Sequence, residues 1–194
     1  MKTLCPSDAS WLSQPEKSVV SNDHVEIVTQ PYSDFWQKTQ HSFQHDNGHA
    51  LVWEIEEKFF TLSAKAQWNS EKLYDHCGIV VYQDSGNWAK VGAEYNNAQT
   101  AWMGSVVTHH GYSDWAIADI SAEITSAWYR LSRRESDFLF EYSLDGVAYH
   151  QMRIFHLFQS DEKVRCGLYA CSPLDASFTA VFTQMAVGEC CWEG

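Results

Sequence analysis

Apolar and polar residues alternate with a period of two through most of the chain. In Phe60-Leu62-Ala64-Ala66-Trp68 one face is apolar, and Thr61-Ser63-Lys65-Gln67 stand between them. Trp88-Lys90-Gly92-Glu94 interleaves with Ala89-Val91-Ala93-Tyr95, Phe138-Phe140-Tyr142 with Leu139-Glu141-Ser143, and Phe178-Ala180-Phe182 with Thr179-Val181-Thr183. Such alternation is the mark of half-buried strands, whose side chains point to opposite faces in turn. Between the runs lie Asp46-Asn47-Gly48, Asp84-Ser85-Gly86-Asn87, Asn96-Asn97 and Leu144-Asp145-Gly146. These residues accept tight hairpin geometry at low cost. No segment sustains helical spacing with caps. The pattern predicts roughly ten to twelve strands and at most a short helix. A run of antiparallel strands this long buries its apolar faces as two packed sheets, so the predicted fold is an all-β, two-sheet antiparallel sandwich or jelly roll.

The prolines are Pro6, Pro15, Pro31 and Pro173, which leaves the long middle of the chain unbroken. With no internal repeat and no Pro/Gly/Ser-rich linker, residues 1–194 are read as a single domain. Hydrophobic residues make up 45% of the chain and aromatics 14%, which excludes a disordered polymer. No apolar run reaches the length of a membrane span, and the opening MKTLCPSDASWLSQ lacks the apolar stretch of a secretory signal. A cytoplasmic location is therefore expected, with reduced thiols at Cys5, Cys77, Cys166, Cys171, Cys190 and Cys191.

Charge narrows the partners. Thirteen Lys and Arg stand against 25 Asp and Glu, a formal net charge of −12. Such a chain repels phosphate backbones and anionic membranes, so neither nucleic acid nor membrane is expected as a partner.

Several motifs together resemble a known family. They are Asp34-Phe35-Trp36-Gln37-Lys38-Thr39, Asp46-Asn47-Gly48-His49, Leu73-Tyr74-Asp75-His76-Cys77-Gly78 and Asn87-Trp88-Ala89-Lys90-Val91-Gly92-Ala93-Glu94-Tyr95. Ser105-Val106-Val107-Thr108, Ser113-Asp114-Trp115, Trp128-Tyr129-Arg130-Leu131 and Gly167-Leu168-Tyr169-Ala170-Cys171 follow in order. Over residues 20–187 the chain resembles the widespread family of unknown function that includes the fungal regulator-of-enolase protein and many bacterial relatives. The resemblance implies a concanavalin A-like lectin/glucanase sandwich and no established activity.

Glu54 and Glu56 share a strand face, but the third acid of a glucanase-like strand is missing: Lys58 and Phe59 stand where it is needed. His41, His45 and His49 are spaced by four, yet Asn47-Gly48 breaks a helix through them. A hairpin around that turn would set His41, Phe43 and His45 on one face and His45 opposite His49. Three or four convergent metal ligands are not evident, so no metal and no cofactor are expected. No nucleophile elbow and no phosphate loop is present.

The most suggestive line is Trp88, Lys90 and Glu94 on one strand face, with Gly92 leaving room between them. The small apolar residues of the opposite face belong to the core. Lys90 and Glu94 must then point outward, because burying them unpaired costs several kcal/mol. Two readings of that face stand: a sugar-binding groove, or an ion pair with Trp88 as packing. Trp36, His49, Asp75, Thr108, Asp114 and Trp115, polar or amphipathic residues of the family-like motifs, are the other candidates for one site. The function expected is a non-catalytic binding module for a carbohydrate or sugar-containing metabolite. The alternatives are a glycoside hydrolase with non-contiguous carboxylates, and a protein-interaction or regulatory domain linked to carbohydrate metabolism.

Overall fold

The structure, a computed structural model, describes residues 1–40, 42–157 and 163–192. In chain order its strands are β1 (Lys2–Thr3), β2 (Ser10–Ser13), β3 (Lys17–Val20), β4 (His24–Val28), β5 (Phe35–Gln37), β6 (Gln44–Asp46), β7 (His49–Ile55), β8 (Phe59–Trp68) and β9 (His76–Asp84). They continue as β10 (Asn87–Tyr95), β11 (Thr100–His109), β12 (Tyr112–Ser121), β13 (Ser126–Arg134), β14 (Asp137–Ser143), β15 (His150–His156), β16 (Val164–Cys171) and β17 (Thr179–Gly188). The one helical turn among the described residues is a 3-10 turn at Pro6–Asp8. Strands thus outnumber the ten to twelve expected, because several are only two to four residues long and too short to show alternation.

Two antiparallel sheets form a sandwich. One is eight-stranded, ordered β15-β14-β13-β8-β17-β4-β3 with β1 against β17. The other is seven-stranded, ordered β12-β11-β10-β9-β16-β7-β2. Between them lies the main core, built from inward residues such as Leu62, Ala64, Ile79, Val91, Leu131, Phe140, Leu168 and Phe182. Phe60, Leu62, Ala64 and Ala66 are all buried there, as their alternation requires. All six cysteines are free, and Cys77, Cys166 and Cys171 are buried among apolar neighbours.

A second, smaller cluster sits on the outer face of the seven-stranded sheet. It contains Phe35, Val52, Val80, Tyr82, Trp88, Val106, Tyr169 and Cys171. The two-stranded β5-β6 hairpin covers this face. Phe35 is its plug, with its ring 5.7 Å from that of Trp88 and 6.1 Å from that of Tyr82. Polar ties hold the rest. The Tyr82 hydroxyl donates to Asp46 Oδ2 at 2.8 Å, and the Gln37 amide donates to Ser113 Oγ at 2.9 Å. The Asn47 and Gly48 amides both donate to the Asp34 carbonyl.

This arrangement corrects the hairpin expected around Asn47-Gly48. That turn carries the chain from the covering hairpin into β7. His45 lies opposite Trp36, and His49 lies opposite Ala170, so His45 and His49 are not cross-strand neighbours. His41 lies outside the described residues. Glu54 is exposed and ion-paired to Lys163 at 2.7 Å, while Glu56 lies beyond the end of β7.

Candidate functional site

The register of β10 decides what faces the hairpin. Lys90 is paired with Val80 on β9 and Val106 on β11, and Glu94 with His76 and Trp102. His76 is in turn paired with Cys171, and Val106 with Trp115. Strand alternation sends all of these side chains to the outer face. Between the sheet and the hairpin they leave a cavity of about 440 Å³. Its floor carries Asp34, His76, Lys90 and Glu94, and its walls carry Trp36, Phe43, His45, Tyr74 and Trp115, with Pro173 and Leu174 at one end. That volume falls within the range of small-molecule sites.

Lys90 is the centre of the floor. It is 5% exposed, and each of its three N–H donors has a partner. Nζ donates to Asp34 Oδ1 at 3.1 Å, to the Phe35 carbonyl at 2.9 Å and to His76 Nε2 at 2.8 Å. His76 Nδ1 lies 2.7 Å from the Tyr74 carbonyl, which can only accept, so Nδ1 carries the proton and Nε2 accepts from Lys90. Burial first, and the Lys90 charge second, push the His76 imidazole down to about 4, so it is neutral. Burial works against ionisation of Asp34. The Lys90 charge and the hydrogen bonds from Lys90 and the Phe35 amide outweigh it and hold the carboxyl below its usual value.

Glu94 is in the opposite state. Burial pushes its carboxyl up to about 8; Lys90 opposes that rise and the Asp34 charge adds to it. Two carboxyls thus share one cavity with opposed protonation, an ionised acceptor at Asp34 and a protonated donor at Glu94 near neutral pH.

Asp34, His76 and Cys171 bring three potential metal-ligating atoms within 4.8 Å of one another. The donor set does not suit a cation. The Lys90 ammonium bridges two of the three, and burial pushes the Cys171 thiol up, away from the thiolate a metal binds.

The aromatic walls are open. Phe43, Tyr74 and Trp115 are 42%, 39% and 38% exposed. Tyr74 is held at a φ of 69°, a strained value for a residue with a side chain, and its carbonyl orients His76. Trp102 backs this wall, with its ring 6.3 Å from Tyr74 and 5.7 Å edge-on to Trp115. On the hairpin the Phe43 and His45 rings meet edge-on at 5.1 Å.

The structure therefore brings Trp36, Lys90, Glu94 and Trp115 of the expected residues into one cavity. The others lie elsewhere, each for a physical reason. Trp88 is fully buried under Phe35 and donates its indole N–H to the Ser85 carbonyl. His49 is buried, accepting from the Gln30 amide and donating to the Ser13 carbonyl. Thr108 is buried and bonded to Ser113, the hydroxyl that anchors the hairpin at Gln37. Asp75 is buried, and its backbone accepts from the Tyr95 amide and donates to the Lys72 carbonyl. Asp114 points to the face opposite Trp115 and ion-pairs with Arg153 at 2.5 Å, tying β12 to β15. Sequence reasoning missed Asp34, His76, Tyr74, Phe43 and His45 as cavity residues.

The two packed antiparallel sheets define a β-sandwich protein, with a covered cavity on the outer face of one sheet. A GH43 protein of Bacillus licheniformis, BlXynB, superposes with a TM-score of 0.73 at 14% identity; 96% of this chain aligns to 37% of that one, so the likeness is one of fold. The chain belongs to the protein family of unknown function DUF1349, whose model matches residues 11–190. It is 29% identical to Regulation of enolase protein 1 of Saccharomyces cerevisiae over 93% of this chain and 89% of that protein. A crystal structure of a functionally unknown protein from Saccharomyces cerevisiae aligns with a TM-score of 0.88 at 28% identity, covering 96% of this chain and 98% of that one. Among the described residues, no helix is long and apolar enough to cross a membrane.

Proposed function

We propose that the cavity binds a carbohydrate and that the protein acts as a sugar-binding module. One observation carries this reading: an ionised acceptor, Asp34, and a protonated donor, Glu94, meet on one floor between two aromatic walls. Aromatic faces pack on the apolar C–H faces of a sugar ring. A carboxylate and a carboxylic acid side by side satisfy hydroxyls as acceptor and donor.

Two variants at Glu94 are the test. On a glycan array and by calorimetry with the sugars that bind, Glu94→Leu, which removes the donor, is expected to lose roughly fivefold to tenfold in affinity, the value of a neutral hydrogen bond, whereas Glu94→Gln keeps a neutral donor and serves as the stability control. The stability control has a definite sign. The folded state keeps the Glu94 proton up to about 8, whereas the unfolded chain releases it near the ordinary glutamate value of 4.5. The native protein therefore loses stability as pH rises between those values, and Glu94→Gln removes the loss. The melting temperature of the variant should match the parent near pH 4.5 and exceed it above 8. Full retention of sugar binding by Glu94→Leu would move the site elsewhere.

A second reading, glycoside hydrolysis, is favoured by the same split between Asp34 and Glu94, since opposed protonation is how an acid and a base divide their work. Against it, Asp34 Oδ1 is already fixed by Lys90 and the Phe35 amide. Turnover of chromogenic glycosides that disappears in Glu94→Gln would support hydrolysis over binding alone.

A further inference from the structure

The polar floor of the cavity is asymmetric in what it offers. Its cation has nothing left to give. The three Lys90 donors are committed to Asp34, the Phe35 carbonyl and His76, and the one N–H of His76 is committed to the Tyr74 carbonyl. An anionic ligand such as a phosphate or a uronate would meet no free N–H of these groups and would face two carboxyls. What the floor leaves open is acid. Among the described residues Glu94 has no hydrogen-bond partner, although its carboxyl is sunk deep enough to hold its proton to about 8. Asp34 Oδ1 is engaged, and Oδ2 makes no bond to the protein among the described residues.

The walls point the same way. Tyr74 and Trp115 from the sheet side, and Trp36 and Phe43 from the hairpin, line the cavity around this floor. Ring faces attract cations, and a cage of aromatic rings closed by carboxyls is a physical match for an ammonium group. The volume, about 440 Å³, exceeds what a bare ammonium group fills and leaves room for a hydroxylated ring.

We propose that the cavity selects amino sugars, the ammonium group lying between the Glu94 carboxylate and the aromatic walls while ring hydroxyls bond to Asp34. The assignment rests on the carbohydrate reading above and narrows it to one substrate class. Binding carries a proton balance. An ammonium pairs with an ionised carboxylate, so below the point where Glu94 ionises, its proton leaves to the buffer as the ligand enters. The groups facing Glu94 that set this balance are Lys90 on its own strand, His76 on β9, Asp34 and His45 from the hairpin, Tyr74 from the segment before β9, and Asp119, two strands away beyond Trp102. Among these, Lys90 and Asp34 act most strongly on it.

The test uses matched sugars. Glucosamine, galactosamine and mannosamine are each titrated calorimetrically against the parent hexose and the N-acetyl form at roughly pH 6, in buffers of different ionisation enthalpy. At least one amine is expected to bind about tenfold or more tightly than both of its neutral counterparts, the scale of a charge-assisted hydrogen bond joined to a cation–π contact. That binding should release about one proton, whereas a neutral hexose releases none. In Glu94→Gln the preference for the amine and the proton release should both vanish. Hexoses that bind as well as the amines would overturn the amino-sugar assignment and leave carbohydrate binding standing. Failure of every sugar would overturn both. Binding of choline without any of the sugars would reassign the cage to quaternary amines and likewise overturn the proposal.

Discussion

Lys90→Met is expected to cost about 3–5 kcal/mol of folding stability, the scale for removing one partner of a buried ion pair. The side chain is nearly the same length, so packing changes little. What changes is the electrostatics. Asp34 keeps 13% of its side-chain surface and loses the cation that holds it ionised. The Phe35 carbonyl and His76 Nε2 lose their donor in the same step. These three groups come from the hairpin start and from β9, so the loss unpins the hairpin from the sheet. A urea or guanidinium denaturation series measures it. Adding Asp34→Asn to Lys90→Met should restore a sizeable part of the loss, because no unpaired charge is then left buried. A loss below about 1 kcal/mol in the single variant would mean that the pair is effectively solvated and that Lys90 is not the centre of a buried floor.

Phe35→Ala is expected to have the second largest effect, about 3 kcal/mol, at the low end for deleting a buried phenyl ring because the hairpin can settle onto the gap. The ring is 1% exposed and lies against Tyr82 and Trp88. It is the main apolar anchor of a two-stranded unit that cannot stand alone in water. The expected signature is local. Backbone amides of the hairpin, such as Lys38 and Ser42, which bond across its turn, should exchange much faster than those of β9 and β10. Sugar binding should fall with them, since Trp36, Phe43 and His45 leave with the hairpin. Unchanged protection of these amides would show that the polar ties at Asp46 and Gln37 suffice.

How much of this was legible in the sequence follows from particular residues. The alternation of β10 was explicit, and it put Lys90 and Glu94 on the outer face, with the small residues Ala89, Val91 and Ala93 in the core. Trp88 shares that outer face, but a ring supplied from 53 positions earlier seals it, and no local pattern reports such a contact. The hairpin itself was obscured. Its strands are three residues long, and its turn sets Lys38, Gln40 and Ser42 at positive φ without a glycine to mark them. Asp34, Tyr74 and His76 stood in plain view among the family-like motifs. Nothing in their spacing shows that Asp34 and His76, separated by about 40 positions, close on the Lys90 ammonium, or that the Tyr74 carbonyl orients His76. His49, Asp75, Thr108 and Asp114 are polar residues near turns, and polar residues there serve backbone and edge contacts as readily as ligands.

Close approach matters on the same face. Gly92 lies between Lys90 and Glu94, and a methyl group there would sit 2.7 Å from the Tyr169 hydroxyl and collide with the Cys77 carbonyl. The open space expected beside the Lys and the Glu is therefore already taken by Tyr169. The cavity lies above that ring, toward the hairpin.

The central claim, that ligand enters between the hairpin and the outer sheet face, is tested most directly by following tryptophan indole N–H resonances while the best-binding sugar is added. The Trp36 and Trp115 signals should move together and saturate at one concentration. Trp88, sealed under Phe35, and Trp53, bonded to the Cys5 carbonyl, should stay in place. Shifts confined to residues around the smaller cavity of Glu54, Tyr82, Lys163 and Arg165, with Trp36 and Trp115 unmoved, would contradict the account.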